Sequence, residues 1–349
     1  MTDSFLDADR EADGLAHRLR PRGDTLVVVF SQVRVPEGKF GLERLFAGTT
    51  HSLLLLNEPD NAWYRDRSDA VDRRIGNAAA ACGAARVILY GSSMGAFGAA
   101  AAAARWPEAE LYAFAPDHRI GEPGSRSAAA GLAMRDGEAD LGGLLSTPRQ
   151  SAARVIVGLY DPYDAGVGAR LAALSLPEAV RLVPLRSSHE VHDHLYSLNV
   201  VRKVVATFRR DIAVEAAARR LLVPDVDWPA HARLAAARAA FDAGAGLGPE
   251  EVLGLLPGVN PGLTLLAAEA AERAGDASRA ERLLAGLDAG VLADAVLSGL
   301  PKRYLKEVPR RRIRLLVGLG EAALARRVAL EAAARFPNDE GFALAARSG

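Results

Sequence analysis

The chain has one cysteine, Cys82, in 349 residues. No internal disulfide can staple the fold, and a reducing compartment suits it. It also lacks a charge imbalance, since Lys plus Arg and Asp plus Glu both total 43. Nothing electrostatic therefore draws it to nucleic acid or to an anionic membrane surface. No apolar run is long enough to span a bilayer, and the alanine run at 99–104 is stopped by Arg105 and Pro107. The opening MTDSFLDADREADGL has neither the basic nor the apolar segment of a secretory leader. A soluble, cytoplasmic protein is expected. The phosphate-loop and dinucleotide glycine fingerprints are missing too. The histidines of HEVHDH (189–194) match no zinc spacing. No cofactor and no metal are expected.

What is present is a regular alternation. TLVVVF (25–30), SLLLLN (52–57), RVILY (86–90), ELYAFA (110–115), RVIVGLY (154–160) and AVRLVPL (179–185) are continuous apolar runs of strand length. Continuous apolarity means burial on both faces, as parallel strands covered by helices require. Helices are predicted at 65–82, 96–106, 165–175 and 193–220. The order is that of a doubly wound, mostly parallel α/β sheet. The Gly-rich segment 118–150 falls between two strands and reads as a lid or excursion over the sheet. Beyond residue 222 the strand-like runs stop, and alanine, leucine and arginine recur at helical spacing. Residues 1–222 and 223–349 are thus expected to form an α/β domain and an all-α domain of helical hairpins resembling degenerate tetratricopeptide-type repeats. Such a domain would suit a protein partner or self-association. Arg310, Arg311 and Arg312 read as a solvated helix face.

The chemistry centres on GSSMG (91–95), placed between an apolar strand and the helix-forming AFGAAAA. A strand that enters a sharp turn and then a helix lifts a serine hydroxyl above a sheet, and flanking glycines give the strained backbone room. A serine needs a base to become a nucleophile, and the base needs an acid to orient it. Asp161 ends one strand and His189 follows the next, so the chain order is Ser, Asp, His.

In GSSMG, in VGLYD and in SSH before a terminal helix, residues 25–210 resemble the α/β-hydrolase superfamily. The resemblance implies Ser93 as nucleophile, His189 as general base and then acid, and Asp161 as the group orienting His189. Asp117 and Asp164 are alternative acids; His192 and His194 compete with His189 but fall in the first turn of a helix. The family often has His-Gly after its first long strand, where this chain has Phe30-Ser31-Gln32-Val33. Because backbone amides form the oxyanion hole, Met94 and either Gln32 or Val33 are expected to supply it. The early antiparallel strands and a large helical cap are expected to be absent. TLVVVFSQVRVPEGKF and LLLLNEPDNAWY further resemble a bacterial subset of these hydrolases, some of which accompany polysaccharide biosynthesis genes. Asn57, Asp60, Trp63 and Tyr64 are candidate contacts for a sugar or another polar ring. A serine esterase acting on a small or saccharide ester is the expected activity, with two alternatives. One is an acyltransferase using the same triad; the other is an inactive scaffold whose helices bind a partner.

Overall fold

The computed structural model describes residues 13–347 and the backbone of a strand at Leu6–Ala8. Most of the opening stretch read for a leader lies outside the described residues. Eight strands form one sheet: β1 (Leu6–Ala8), β2 (Ala16–Arg20), β3 (Thr25–Phe30), β4 (Ser52–Asn57), β5 (Arg86–Ser92), β6 (Glu110–Phe114), β7 (Ala153–Gly158) and β8 (Val180–Leu185). Their order is β1-β2-β4-β3-β5-β6-β7-β8. β3 to β8 run parallel, and β1 and β2 add an antiparallel edge. This order, with a sharp turn after β5, is the α/β-hydrolase fold.

All six strands expected from continuous apolarity are present, and their side chains divide between two cores. Leu26, Val28 and Phe30 face one core, and Val27 and Val29 face the other. The first core is covered by α2 (Ser68–Cys82), α3 (Met94–Arg105), α5 (Leu141–Leu145) and α6 (Pro162–Ala172). The second is covered by α1 (Glu43–Phe46), α7 (Val191–Ser197), α8 (Val200–Val205) and α9 (Ile212–Ala217). Between β6 and β7 the excursion holds α4 (Arg126–Ala129) and α5, and the fully buried Leu141 and Leu145 tie it to the core.

Two expectations for the sheet-bearing region are corrected. The early antiparallel strands exist. β2 reads AHRLR and escapes an apolar search because Arg20 is buried by donating to the carbonyls of Phe46 and Ala47 at the end of α1. The helix expected at 193–220 is three helices, broken where Asn199 (φ 61°) and Phe208 (φ 52°) turn left-handed.

The rest of the described chain is helical: α10 (Trp228–Asp242), α11 (Pro249–Leu253), α12 (Pro261–Arg273), α13 (Ala277–Ala293), α14 (Lys302–Gly318), α15 (Ala322–Arg335) and α16 (Glu340–Arg347). Ala268, Ala271 and Ala280 are fully buried where α12 and α13 meet, so small side chains set the close approach. The Arg310–Arg312 run is not simply a solvated face. Arg311 pairs with Glu272, and Arg312 with Glu281 and Asp288, so the run knits α12, α13 and α14 together.

This region is seated on the carboxyl ends of the strands. Asn260 Nδ2 donates to Leu159 O at 3.1 Å. Arg186 pairs with Asp294 at 3.1 Å, and Ser197 Oγ donates to Gly299 O at 3.2 Å. A Cβ on Gly262 would lie 1.9 Å from Tyr160 O, so only glycine allows the two backbones to touch there. Gly262→Ala is expected to cost about 1–3 kcal/mol through forced separation of that contact. A lower melting temperature and faster proteolysis between α9 and α10 would be the readout; an unchanged melt would show that the junction yields.

Candidate active site

Ser93 stands between β5 and α3 with φ 54° and ψ −119°, a left-handed backbone that costs a non-glycine residue about 1–3 kcal/mol. Tight packing imposes it. A Cβ on Gly91 would lie 2.1 Å from Gly95 O, and one on Gly95 2.2 Å from Phe30 O. Both glycines of the motif are therefore demanded by backbone approach, and Ser93 is pushed above the strand ends. Met94 opens α3, so its amide has no partner within the helix. The helix dipole adds positive character at the same point.

The loop after β8 brings His189 to the serine: Ser93 Oγ lies 3.1 Å from His189 Nε2. On the other side of the ring, Nδ1 lies 3.0 and 3.1 Å from the two oxygens of Asp164. The hydrogen-bonded carboxylate is thus Asp164, not the preferred Asp161. Asp161 is the N-cap of α6, accepting from the amides of Tyr163 and Asp164, and it receives the Arg126 guanidinium at 2.5 Å. Asp-Pro at 161–162 carries that signal in the sequence, because proline favours the first helical position after a capping aspartate. Asp164 lies one turn further on, pointing inward from α6 and almost fully buried. Asp117 is buried as well, but accepts from the amides of Ser127 and Arg126 and so fastens the excursion.

Burial pushes the Asp164 carboxyl up to about 6, against the pull of the neighbouring imidazole. Burial pushes His189 down, yet the charge and hydrogen bond of Asp164 outweigh it and leave the ring above its ordinary value. A ring braced in this way accepts a proton from Ser93 at little cost in reorientation.

The other histidines are held elsewhere. His192 meets Tyr90 Oη at 2.8 Å and packs edge-on to Phe114. His194 meets Ser187 Oγ, and burial lowers it to about 4.

A cavity of about 560 Å³ opens over Ser93 and His189. Gln32, Val33, Asp60, Asn61, Trp63, Arg126 and Glu190 line it, and Arg303 reaches it from α14. The amide of Ser31 is already bonded to Leu56 O, whereas Gln32 and Val33 follow it into the cavity. Of the candidate ring contacts, Asp60 and Trp63 are in the lining. Asn57 and Tyr64 are not: Asn57 donates to the carbonyls of Val35 and Pro36, and Tyr64 Oη to those of Ser31 and Leu56. The loop carrying these residues is strained, with Asn61, Trp63, Tyr64 and Asp66 all at φ between 55° and 60°. Buried Glu58 fastens it by accepting from the amides of Asp60 and Ala62. Sequence reasoning missed Arg126 and Arg303, since no motif surrounds either one.

Among the described residues no group of three or more His, Cys, Asp and Glu is placed to hold a metal, and no helix is long and apolar enough to cross a membrane.

No family model matches the chain, and no curated protein matches it in sequence. Among solved structures it is similar to an esterase of Pyrococcus furiosus, at 12% identity over 59% of this chain and 92% of that one, with a TM-score of 0.43. It is similar to Est1E from Butyrivibrio proteoclasticus, at 15% identity over 61% and 99%, with a TM-score of 0.43. It is also similar to the capsule O-acetyltransferase of Neisseria meningitidis serogroup A, at 12% identity over 55% and 92%, with a TM-score of 0.40. These likenesses are too loose to carry residues or chemistry across.

Asp164→Asn is expected to slow reaction of Ser93 with a fluorophosphonate on the order of 10³–10⁴-fold. Asp161→Asn keeps a capping side chain and should cost less than about tenfold. The reverse order of the two rates would return the acid to Asp161. The wild-type rate should rise with pH as the ring loses its proton, with a midpoint above 6.5. In Asp164→Asn the midpoint should fall, because burial then acts without a compensating charge; a midpoint that stays put would separate Asp164 from the base.

Proposed function

We propose that the protein is a serine hydrolase acting on carboxylic esters. The observation that carries this reading is the unbroken chain of contacts from Ser93 Oγ through His189 to Asp164 at the head of a strained strand-to-helix turn. In this reading Ser93 Oγ attacks the ester carbonyl while His189 Nε2 takes its proton. The oxyanion faces the Met94 amide and that of Gln32 or Val33. The tetrahedral intermediate then collapses; His189 returns the proton to the departing alcohol, leaving an acyl group on Ser93. Water, deprotonated by His189, attacks the acyl-enzyme and restores the serine. Asp164 keeps Nδ1 protonated and steadies the imidazolium that forms twice in each cycle.

An acceptor hydroxyl in place of water turns the same sequence into acyl transfer, and the products separate the two. We also read residues 223–349 as a second unit, joined through the stretch between α9 and α10 and reaching the cavity through Arg303.

Wild-type protein is expected to gain a single fluorophosphonate adduct by intact mass, absent from Ser93→Ala and His189→Ala. It should also release acid from 4-nitrophenyl acetate with a burst of nitrophenol. Folded wild-type protein that takes no adduct would refute the hydrolase reading and leave the inactive scaffold in its place.

A further inference from the structure

Six charged side chains line the cavity over Ser93: Arg34, Asp60, Arg126, Glu190, Asp193 and Arg303. Most are already engaged. Arg126 is held by Asp161 at 2.5 Å, and Glu190 accepts from Ser188 Oγ at 2.9 Å. Asp60 has an interaction of its own. Asp193 is turned to solvent, its side chain 72% exposed, beside His192. Arg34 and Arg303 are different. Among the described residues neither guanidinium has a hydrogen-bond or ion-pair partner, although both line the same cavity.

Both residues are exposed, but their backbones are held. Arg34 lies in a left-handed turn (φ 62°), and its amide donates to Asn61 Oδ1 at 2.7 Å, which joins it to the strained loop after β4. Arg303 follows a segment clamped to the sheet region four times over. Asp294 pairs with Arg186, Val296 is buried in the second sheet core, and Gly299 O receives Ser197 Oγ. Gly299 also packs close to the His194 ring, a Cβ at that position standing 3.2 Å from Nε2. One arginine from the loop after β3 and one from the helical region are thereby delivered to the mouth of one cavity. Two unpaired guanidiniums lining the cavity that holds Ser93 offer donors suited to an anion, since their planar forks match carboxylate, sulfate and phosphate oxygens.

We propose that the ester substrate carries an anionic group, held between Arg34 and Arg303, so that the helical region supplies half of the specificity site. This inference rests on the hydrolase reading of Ser93. Arg303 acts in binding and takes no part in bond making, and attraction at this half-open site weakens with salt.

The test uses the full chain and two matched ester pairs. The 4-nitrophenyl half-ester of succinate is set against its methyl ester, which places the charge on the acyl side. The acetate ester of 4-hydroxybenzoate is set against that of methyl 4-hydroxybenzoate, which places it on the alcohol side. Each kcat/KM is divided by the hydroxide-catalysed rate of the same ester. In at least one pair the anionic member is expected to lead by about tenfold at low salt, with the lead shrinking as salt rises. Arg303→Met and Arg34→Met should each reduce that ratio by about threefold or more, and Arg303→Lys should restore part of it. A ratio near one in both pairs, or a ratio indifferent to both exchanges, overturns the proposal while a fluorophosphonate adduct on Ser93 leaves the hydrolase reading standing. Absence of the adduct overturns both.

Discussion

The left-handed backbone of Ser93 is the constraint around which the rest is arranged. It exists only because β5 and α3 press so closely on each other and on β3 that Gly91 and Gly95 have no space for a side chain. Gly98, one turn along α3, repeats the approach against the ring of Tyr64, which in turn closes on Phe30 edge-to-face. The strain at one residue is therefore held by a packed corner of three elements, and its result is a hydroxyl raised above the strand ends. A looser corner would relax the turn and lower the serine into the sheet.

Around that corner, two neighbouring carboxylates do different work because one turn of helix separates their environments. Asp161, at the cap of α6, is satisfied by amides and by Arg126, and stays close to solvent. Asp164 points inward, where burial makes its charge expensive unless the His189 ring answers it. Buried charge and ring stabilise each other, and that mutual dependence orients the imidazole toward Ser93. The helical region presses on this same turn: Gly262 and Asn260 contact the carbonyls of Tyr160 and Leu159, immediately before the capping aspartate. Its docking thus touches the turn that leads into Asp161 and Asp164, and Arg303 of the same region lines the cavity.

Much of this was legible in the chain. Six apolar runs became six parallel strands because a strand buried on both faces has no polar side to show. The meeting of Ser93 and His189 was legible because a glycine-flanked serine after one strand and a histidine after the last both fall at the carboxyl ends of parallel strands. The acid was harder. Asp161 and Asp164 both end the same apolar run within four residues, and the Asp-Pro capping signal separates them only once a helix is known to start there. The first strands stayed hidden because β2 is short and carries a buried arginine whose acceptors, the carbonyls ending α1, lie 26 and 27 residues away. The arginine run of α14 read as a wet surface because its carboxylate partners belong to other helices.

Local pattern alone thus determined the α/β order, the turn at Ser93 and the change to helices near residue 223, since each depends on residues adjacent in the chain. Only the tertiary structure decided which carboxylate faces His189, that Trp63 and Tyr64 both pack into the core with Trp63 alone also touching the cavity, and that Arg303 and Arg34 line that same cavity. Those outcomes depend on which surfaces meet when distant segments pack, and side-chain neighbours across such a contact leave no periodicity in the sequence.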